Sequence, residues 1–349
     1  MPGATRATGG SPWHSFSSAR SDEAGDIAAG EMNEMKEDAT VPEPEGAPVD
    51  TPRTAPPKRR SKEISLQDAG RIIAEGTVLS LAGSQLVNSP MALIREAIRA
   101  GVNGLTVIPA IDASIAVDLM IAAGVVDTLI VSYVGFETLG LAPAFRQAGE
   151  HKTITIIEAD EPFIVHGTRA AAAGLPFIPV RHVYEATDLP AYNPRLKTAV
   201  DPYTGEEVLT IPPLHADVCI LHAQEADEFG NAQIWAGNQQ ELDKAKAART
   251  VIVSAERIVS VERSRADPRK VTIPGHLVDA VVHVPFGAHP TMSAGFYLDD
   301  QEHTRAYVEA VRHGHAEAYL STYVHQPKTH PDYLAAVGIG RLTSLMREV

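Results

Sequence analysis

From residue 76 onward, short near-continuous apolar runs alternate with segments of helical periodicity, and no other feature of this sequence constrains its fold as tightly. The runs cover 76–81, 105–108, 128–133, 153–157, 218–222, 250–254 and 280–284. Each is too short for a core helix, and most lack the polar alternation of a half-exposed strand, so they read as strands buried on both faces. Between them, 91–99, 113–123 before Gly124, 141–148 before Gly149, 162–173 before Gly174 and 240–248 read as helices. The class is therefore α/β: an open, mostly parallel twisted sheet with helices on both faces. Two stretches break the rhythm. Turn chemistry at 201–205 separates 197–200 from 208–211, which reads as an inserted hairpin, and from His303 a helical C-terminal tail is broken at Pro327, Pro331 and Gly338.

Composition sets the outer bounds. Residues 1–62 are rich in Gly, Ser, Pro and Ala, and acidic from Asp22 to Asp50 apart from Lys36. Such a segment buries too little apolar surface to offset its ordering entropy and is expected to be a disordered tail. Residues 63–349 are expected to form one domain, opening with a helix capped by Ser65. The net charge of −14 argues against nucleic acid or an anionic membrane as the partner. No apolar run approaches a bilayer span, no hydrophobic leader opens the chain, and Arg59-Arg60 runs into polar residues, so a cytoplasmic protein is expected. The single cysteine, Cys219, sits in an apolar run as a small core residue. His313-x-His315 on a helix points its rings apart, so no metal site is expected.

In open parallel sheets, ligands sit outside the carboxyl ends of the strands. The residues just past each run are polar and glycine-rich: Gly83-Ser84-Gln85; Gly135-Phe136-Glu137; Glu158-Ala159-Asp160-Glu161; Gln224 with Asp227; Gly230-Asn231; and Glu256. In the first of these, a strand turns through Gly83 toward a helix that Asn88 or Ser89 can cap, with Pro90 in its first turn. Such a turn gathers backbone N–H donors suited to an anion or oxyanion. It is also what an ordinary strand-to-helix connection looks like. A carboxylate at a strand exit can act as base or nucleophile, but acids also cap helices, and Asp160 or Glu161 before Pro162 could do only that. No Walker loop, Gly-x-Ser-x-Gly elbow or complete Gly-x-Gly-x-x-Gly follows a strand.

Several blocks, in order, carry a family resemblance: Ala-Ala-Gly-Leu-Pro-Phe-Ile-Pro at 172–179, Ala-Asp-Val-Cys-Ile-Leu-His-Ala at 216–223, Asp-Glu-Phe-Gly-Asn-Ala at 227–232, and Asp-Ala-Val-Val-His-Val-Pro-Phe-Gly-Ala-His-Pro at 279–290. With them, residues 65–345 resemble the A-type subunit of family I coenzyme A transferases of the glutaconate kind. The resemblance implies an enzyme built from two different polypeptides. The B-type partner supplies a glutamate that attacks an acyl-CoA thioester, a glutamyl-CoA intermediate forms, and CoA passes to a free carboxylate. Coenzyme A is then substrate and product, with no tightly bound cofactor, and this chain alone should be inactive. It further implies that the loop Ala82-Gly83-Ser84-Gln85 lies beside the reacting carbonyl, with Gly83 and Ser84 as catalytic candidates; taken with the strand-exit reading and the first turn, Gln85, Asn88, Gly135, Phe136, Glu137, Gly230 and Asn231 are the substrate-binding candidates. Many members follow a paired-Gly turn with Arg or Lys and then Pro; here the turn is Ala82-Gly83 with Leu86 to Pro90 after it. The missing cation argues against a dicarboxylate acyl group. Related steroid-ring-cleaving CoA hydrolases draw an acid from the A-type polypeptide, which makes Glu158 and Glu161 catalytic candidates for hydrolysis or ring opening. A third reading is a non-catalytic acyl-CoA or sugar-phosphate sensor.

Overall fold

The strands of the computed structural model are β1 (Val78–Leu81), β2 (Leu105–Ile108), β3 (Asp112–Ala113), β4 (Val126–Val131), β5 (Tyr133–Val134), β6 (Thr155–Glu158), β7 (Ile178–Val180), β8 (Lys197–Val200), β9 (Glu207–Ile211), β10 (Ala216–Asp227), β11 (Ala232–Gln233), β12 (Ala248–Val259) and β13 (Ala280–His283). The residues described are 59–73, 77–181, 184, 187–236 and 240–346. They lie within one compact unit, Pro57–Val349. The main sheet runs β13-β12-β10-β1-β2-β4-β6, every neighbouring pair parallel, with β11 antiparallel to the end of β10.

Alternate residues of each strand enter different cores, as the two-residue period of a strand requires. Leu79, Leu81, Val218 and Ile220 pack with Met91–Arg99 (α2) and Ile115–Ala122 (α3) in one apolar layer. Cys219, Leu221, Val251 and Val253 face the opposite way, toward Ala245 of Glu241–Ala247 (α7). Ile108 and Ile130 meet Phe163 and Ile164 of Glu161–Ala173 (α5) in the same outer layer. The fold class expected from the apolar runs is the fold observed. No described helix is long and apolar enough to cross a membrane.

The boundaries differ where local signals competed. The helix expected to stop before Gly149 runs through it as Pro143–His151 (α4), and Lys152 takes the left-handed conformation that closes it. Neither Asn88 nor Ser89 caps α2; its N-cap is Pro90, with no side-chain bond. The hairpin β8–β9 gains β7 as a third antiparallel strand. The tail expected over 1–62 lies outside the described residues as far as Lys58. Its last residues are tied to the fold, since the Lys62 ammonium donates to the carbonyls of Gly275 (2.8 Å) and Val278 (2.5 Å).

One buried acid holds two helices together. Asp118 on α3 is fully buried and accepts from the Phe145 (2.7 Å) and Ala144 (3.3 Å) amides at the start of α4. It also accepts from the Tyr307 hydroxyl at 2.8 Å. Burial outweighs these bonds and raises its carboxyl to about 6. A folded-state value above the unfolded one means that the native state holds the extra proton between about pH 4 and 6, so stability is lost as pH rises through that window. Asp118→Asn keeps an acceptor without the ionisation. We expect wild-type unfolding free energy to fall by about 2–3 kcal/mol between pH 4 and 7 from this group, and the variant to lose that slope. Urea titrations at both pH values check this; equal slopes in the two proteins would refute it.

Candidate active site

The chain leaves β1 to build β2, β4 and β6 on one side, then crosses back to lay β10 against the other side of β1. That reversal parts the connections above the sheet at the carboxyl end of β1, the crevice position at which open parallel sheets receive ligands. The loop from Ala82 to Pro90 enters it. Gly83 has φ +93°, and a Cβ there would lie 2.7 Å from the Asn88 carbonyl oxygen and 2.9 Å from the Ser89 Cα. The turn is thus closed so tightly that only glycine fits without distortion.

The loop's amides are more occupied than the sequence suggests. Ser84 N–H donates to Val87 O (2.9 Å), Gln85 N–H to Asp112 O (2.7 Å), and Asn88 N–H to Met292 O (2.7 Å). The open nest of donors expected at this turn is therefore mostly closed by internal bonds. The side chains carry the polarity instead. Ser84 Oγ donates to both oxygens of Asp112, at 3.1 and 3.0 Å. Asp112 is half-buried, and burial raises its carboxyl above the usual range despite the bond from Ser84, with the Glu137 charge adding to the rise. Asp112 and Ala113 pair with Tyr133 and Val134 (β3 with β5), which brings Gly135 and Glu137 to the same side of the crevice. Glu137 is exposed and has φ +47°, an unfavourable conformation for a non-glycine residue. Phe136, by contrast, is buried against Tyr307 and serves the core.

Across the crevice stands a wall. Leu81, the last residue of β1, pairs with Ile220, yet β10 and β12 continue together to Asp227 and Val259. Seven further residues carry them about 20 Å past β1. Gln224 on this ribbon is fully buried; its amide donates to Asn88 Oδ1 (2.7 Å) and Ser293 Oγ (3.2 Å), and its carbonyl accepts from the Trp235 amide (2.9 Å). Beneath it, His222 sits between Ser254 Oγ (2.9 Å) and Glu256 Oε1 (2.8 Å). Glu256 also accepts from Phe286 N–H (2.6 Å) and the Tyr297 hydroxyl. With its oxygens so engaged, Glu256 supports the wall rather than offering a nucleophile.

A buried cation underlies both limbs. Lys244 on α7 places its ammonium 2.8 Å from Pro109 O, 3.3 Å from Ser80 Oγ and 3.4 Å from Ile108 O. Burial lowers it to about 8, while the neighbouring Cys219 and Glu241 pull it upward. It therefore fixes the exits of β1 and β2 by their carbonyl and hydroxyl oxygens.

The structure gathers Gly83, Ser84, Gln85, Asn88, Gly135 and Glu137 around the crevice, and separates the remaining candidates from it. Glu158 ends β6, the edge strand, three positions from β1 and hence about 14 Å away across the sheet. Glu161 opens α5 beside it; both side chains are exposed. Asp160 caps that helix through Phe163 N–H (2.9 Å) and accepts from Tyr184 (2.8 Å). Gly230 and Asn231 form the tip of the β10–β11 hairpin, where Asp227 accepts from both the Asn231 amide (3.0 Å) and its side chain (2.7 Å). Asp112 is absent from the sequence-based candidates, although it lies just past β2 and the strand-exit rule applied there finds it. Lys244 leaves a fainter signal, a lysine on the apolar side of a short helix beside Ala245.

This architecture has known counterparts. The Coenzyme A transferase family model matches residues 64–284. The A-type subunit of glutaconate CoA-transferase from Acidaminococcus fermentans is 32% identical over 303 residues, covering 82% of this chain and 94% of that one. The crystal structure of that enzyme superposes with a TM-score of 0.78 over 82% of this chain and 96% of that one, at 31% identity. The cholesterol ring-cleaving hydrolase IpdA subunit from Rhodococcus jostii is 31% identical over 296 residues, covering 80% and 96% of the two chains. An uncharacterized Archaeoglobus fulgidus protein is 35% identical over 294 residues; these cover 82% of this chain but 65% of that longer one. Sheet order, crevice and sequence blocks thus agree with one family, and the chain belongs to the coenzyme A transferases, on the side of their A-type subunits.

Proposed function

We propose that this chain is the A-type subunit of a heteromeric acyl-CoA:carboxylate CoA-transferase. The observation that carries the reading is a one-sided crevice. The loop at Gly83, Ser84 and Gln85 and the Gln224 wall form a rigid, polar surround, while the buried carboxylate within it, Glu256, is spent on internal bonds. Thioester exchange needs a nucleophilic carboxylate, a polar seat for the developing oxyanion and exclusion of water. This chain offers part of the polar surround for the second, and a B-type partner supplies the first and completes the other two. The partner's glutamate attacks the thioester carbonyl and CoA thiolate leaves. The thiolate then attacks the glutamyl carbonyl of the mixed anhydride, releasing the acyl carboxylate. A second carboxylate retraces these steps and departs as its CoA thioester.

A second reading is favoured by Asp112. Its carboxyl, raised chiefly by burial, accepts from Ser84 beside the loop, and an acid so raised is suited to general acid or base work. With water as acceptor, the same crevice would serve a CoA-thioester hydrolase or ring-opening enzyme, as the name of the Rhodococcus relative suggests.

Release of free CoA discriminates the two. The chain is purified alone and with a B-type partner, then given acyl-CoA with and without an acceptor carboxylate. We expect no turnover by the chain alone, and acceptor-dependent transfer with little free thiol by the pair. Full-speed turnover without a partner would end the transferase reading, and thiol release independent of acceptor would select the hydrolase. In the active pair, Gly83→Ala should lower kcat at least tenfold and cost about 1–3 kcal/mol of stability, without preventing assembly; unchanged kcat would remove the loop from the mechanism. Asp112→Asn should lower kcat at least tenfold if hydrolysis is the reaction. Glu158→Gln should leave kcat within twofold, since that residue lies on the edge strand, and a larger loss would return Glu158 to the site.

A further inference from the structure

Two chain segments leave the sheet side by side on their way to the crevice. Ser80 of β1 and Ile108 of β2 are register partners, and Pro109, which has no N–H for the ladder, follows at once. A few residues later the segments meet again. Ser84 Oγ donates to the Asp112 carboxylate, Gln85 N–H donates to Asp112 O at 2.7 Å, and Ser114 Oγ donates to Gln85 O. The crevice loop is thus tied to the β2 exit at its far end. At its near end the tie is a side chain, Lys244.

An ammonium has three N–H donors, and three oxygens receive them here. Ser80 Oγ comes from β1, while Ile108 O and Pro109 O come from the β2 exit. None of the three is a carboxylate, and Lys244 is 1% exposed, so bulk water replaces none of these bonds. A neutral amine keeps two N–H groups. Loss of the proton therefore leaves one buried oxygen unpaired and removes the charge that strengthens the other two bonds. The titratable groups that act on Lys244 are Cys219 on β10 and Glu241, one turn earlier on α7. Burial pushes the Cys219 thiol up to about 12, so it stays neutral, and Glu241 accepts from the Gln240 amide at 3.0 Å. Asp217, two residues down β10 from Cys219, accepts from Val78 N–H at 3.0 Å. Helix α5, packed on α7, brings a half-buried His166 and Arg169, which meets Asp243 at 3.5 Å; Arg249 of β12 is exposed.

We infer that Lys244 is a positioning residue for the reaction in the crevice: its charged ammonium holds the β1 and β2 exits at the spacing that places the loop at Gly83, Ser84 and Gln85, and the loop loosens when the proton leaves. The inference rests on the transferase reading and adds to it a residue that touches no substrate. The sign of the pH dependence separates positioning from plain stability. Burial holds Lys244 at about 8, below the 10.5 of an ordinary lysine. The unfolded chain therefore carries the extra proton between these values, and this group adds to stability as pH rises through that window. Activity governed by the loop moves the opposite way and falls as pH passes about 8. Hydrogen exchange on full-length wild-type and Lys244→Met protein tests this. At pH 7 the variant is expected to lose at least tenfold in protection over residues 82–90 and 109–114, with β12 unchanged and a single cooperative thermal transition as the folding control. In the wild type the same residues should lose protection, corrected for the intrinsic exchange rate, between pH 7 and 9; should the variant not fold, this arm decides alone. In the assembled pair, kcat should fall over that range with KM for acyl-CoA within twofold. Lys244→Met should be at least tenfold slower at pH 7 and lack the fall. Equal protection in the two proteins, or in the wild type at both pH values, would overturn the inference. So would loss of protection throughout the sheet, the mark of a structural role alone. An active pair whose kcat ignores Lys244→Met would sink the positioning role and keep the transferase, whereas local loosening in a pair that turns over no acyl-CoA would do the reverse.

Discussion

A parallel sheet wrapped by helices on both faces has nowhere to receive a ligand except the ends of its strands, and everything in this protein follows from where that end is opened. Apolar side chains of β1 and β10 fill both helix layers down to the level of Leu81 and Ile220. Above that level the connections from β1 and β10 diverge, since one leads toward β2 and the other stays with β12. Close packing below and divergence above place the crevice at a single point of the sheet.

The crevice is held by buried polar groups that satisfy one another. Gln224 uses both ends of its amide, toward Asn88 and Ser293 on one side and Trp235 on the other. His222, Ser254, Glu256 and Tyr297 form a second chain beneath it. Gly287 lets the segment after β13 cross this chain, since a Cβ there would come within 2.7 Å of the His222 ring. A polar cluster of this kind costs stability if one member is left unpaired, and rigidifies its surroundings when all are paired. That rigidity suits the role proposed for the loop, holding a carbonyl still while a second polypeptide attacks it.

Much of this was legible in the residues. The apolar runs marked all seven strands of the main sheet, and Gly83 marked its own turn, because burial on both faces and a positive φ leave direct traces in composition. Asn88 was legible as a cap and as a substrate candidate, but not as the partner of Gln224, 136 positions away, to which its side chain bonds. Glu158 and Asp112 were equally visible as acids past a strand. Strand order alone separates them, since β6 lies at the edge and β2 beside β1.

The sequence by itself determined the layers, the period of the strands and the glycine that the first loop demands, for these depend on each residue's own hydrophobicity and backbone freedom. Only the tertiary structure decided which polar residues share the crevice. Pairing between strands distant in the chain brings Ser84 to Asp112 and Lys244 to Pro109, and it spends Glu256 on His222 and Tyr297. A carboxylate's chemistry is set by the donors and charges within a few ångströms of it, and those neighbours come from elsewhere in the chain.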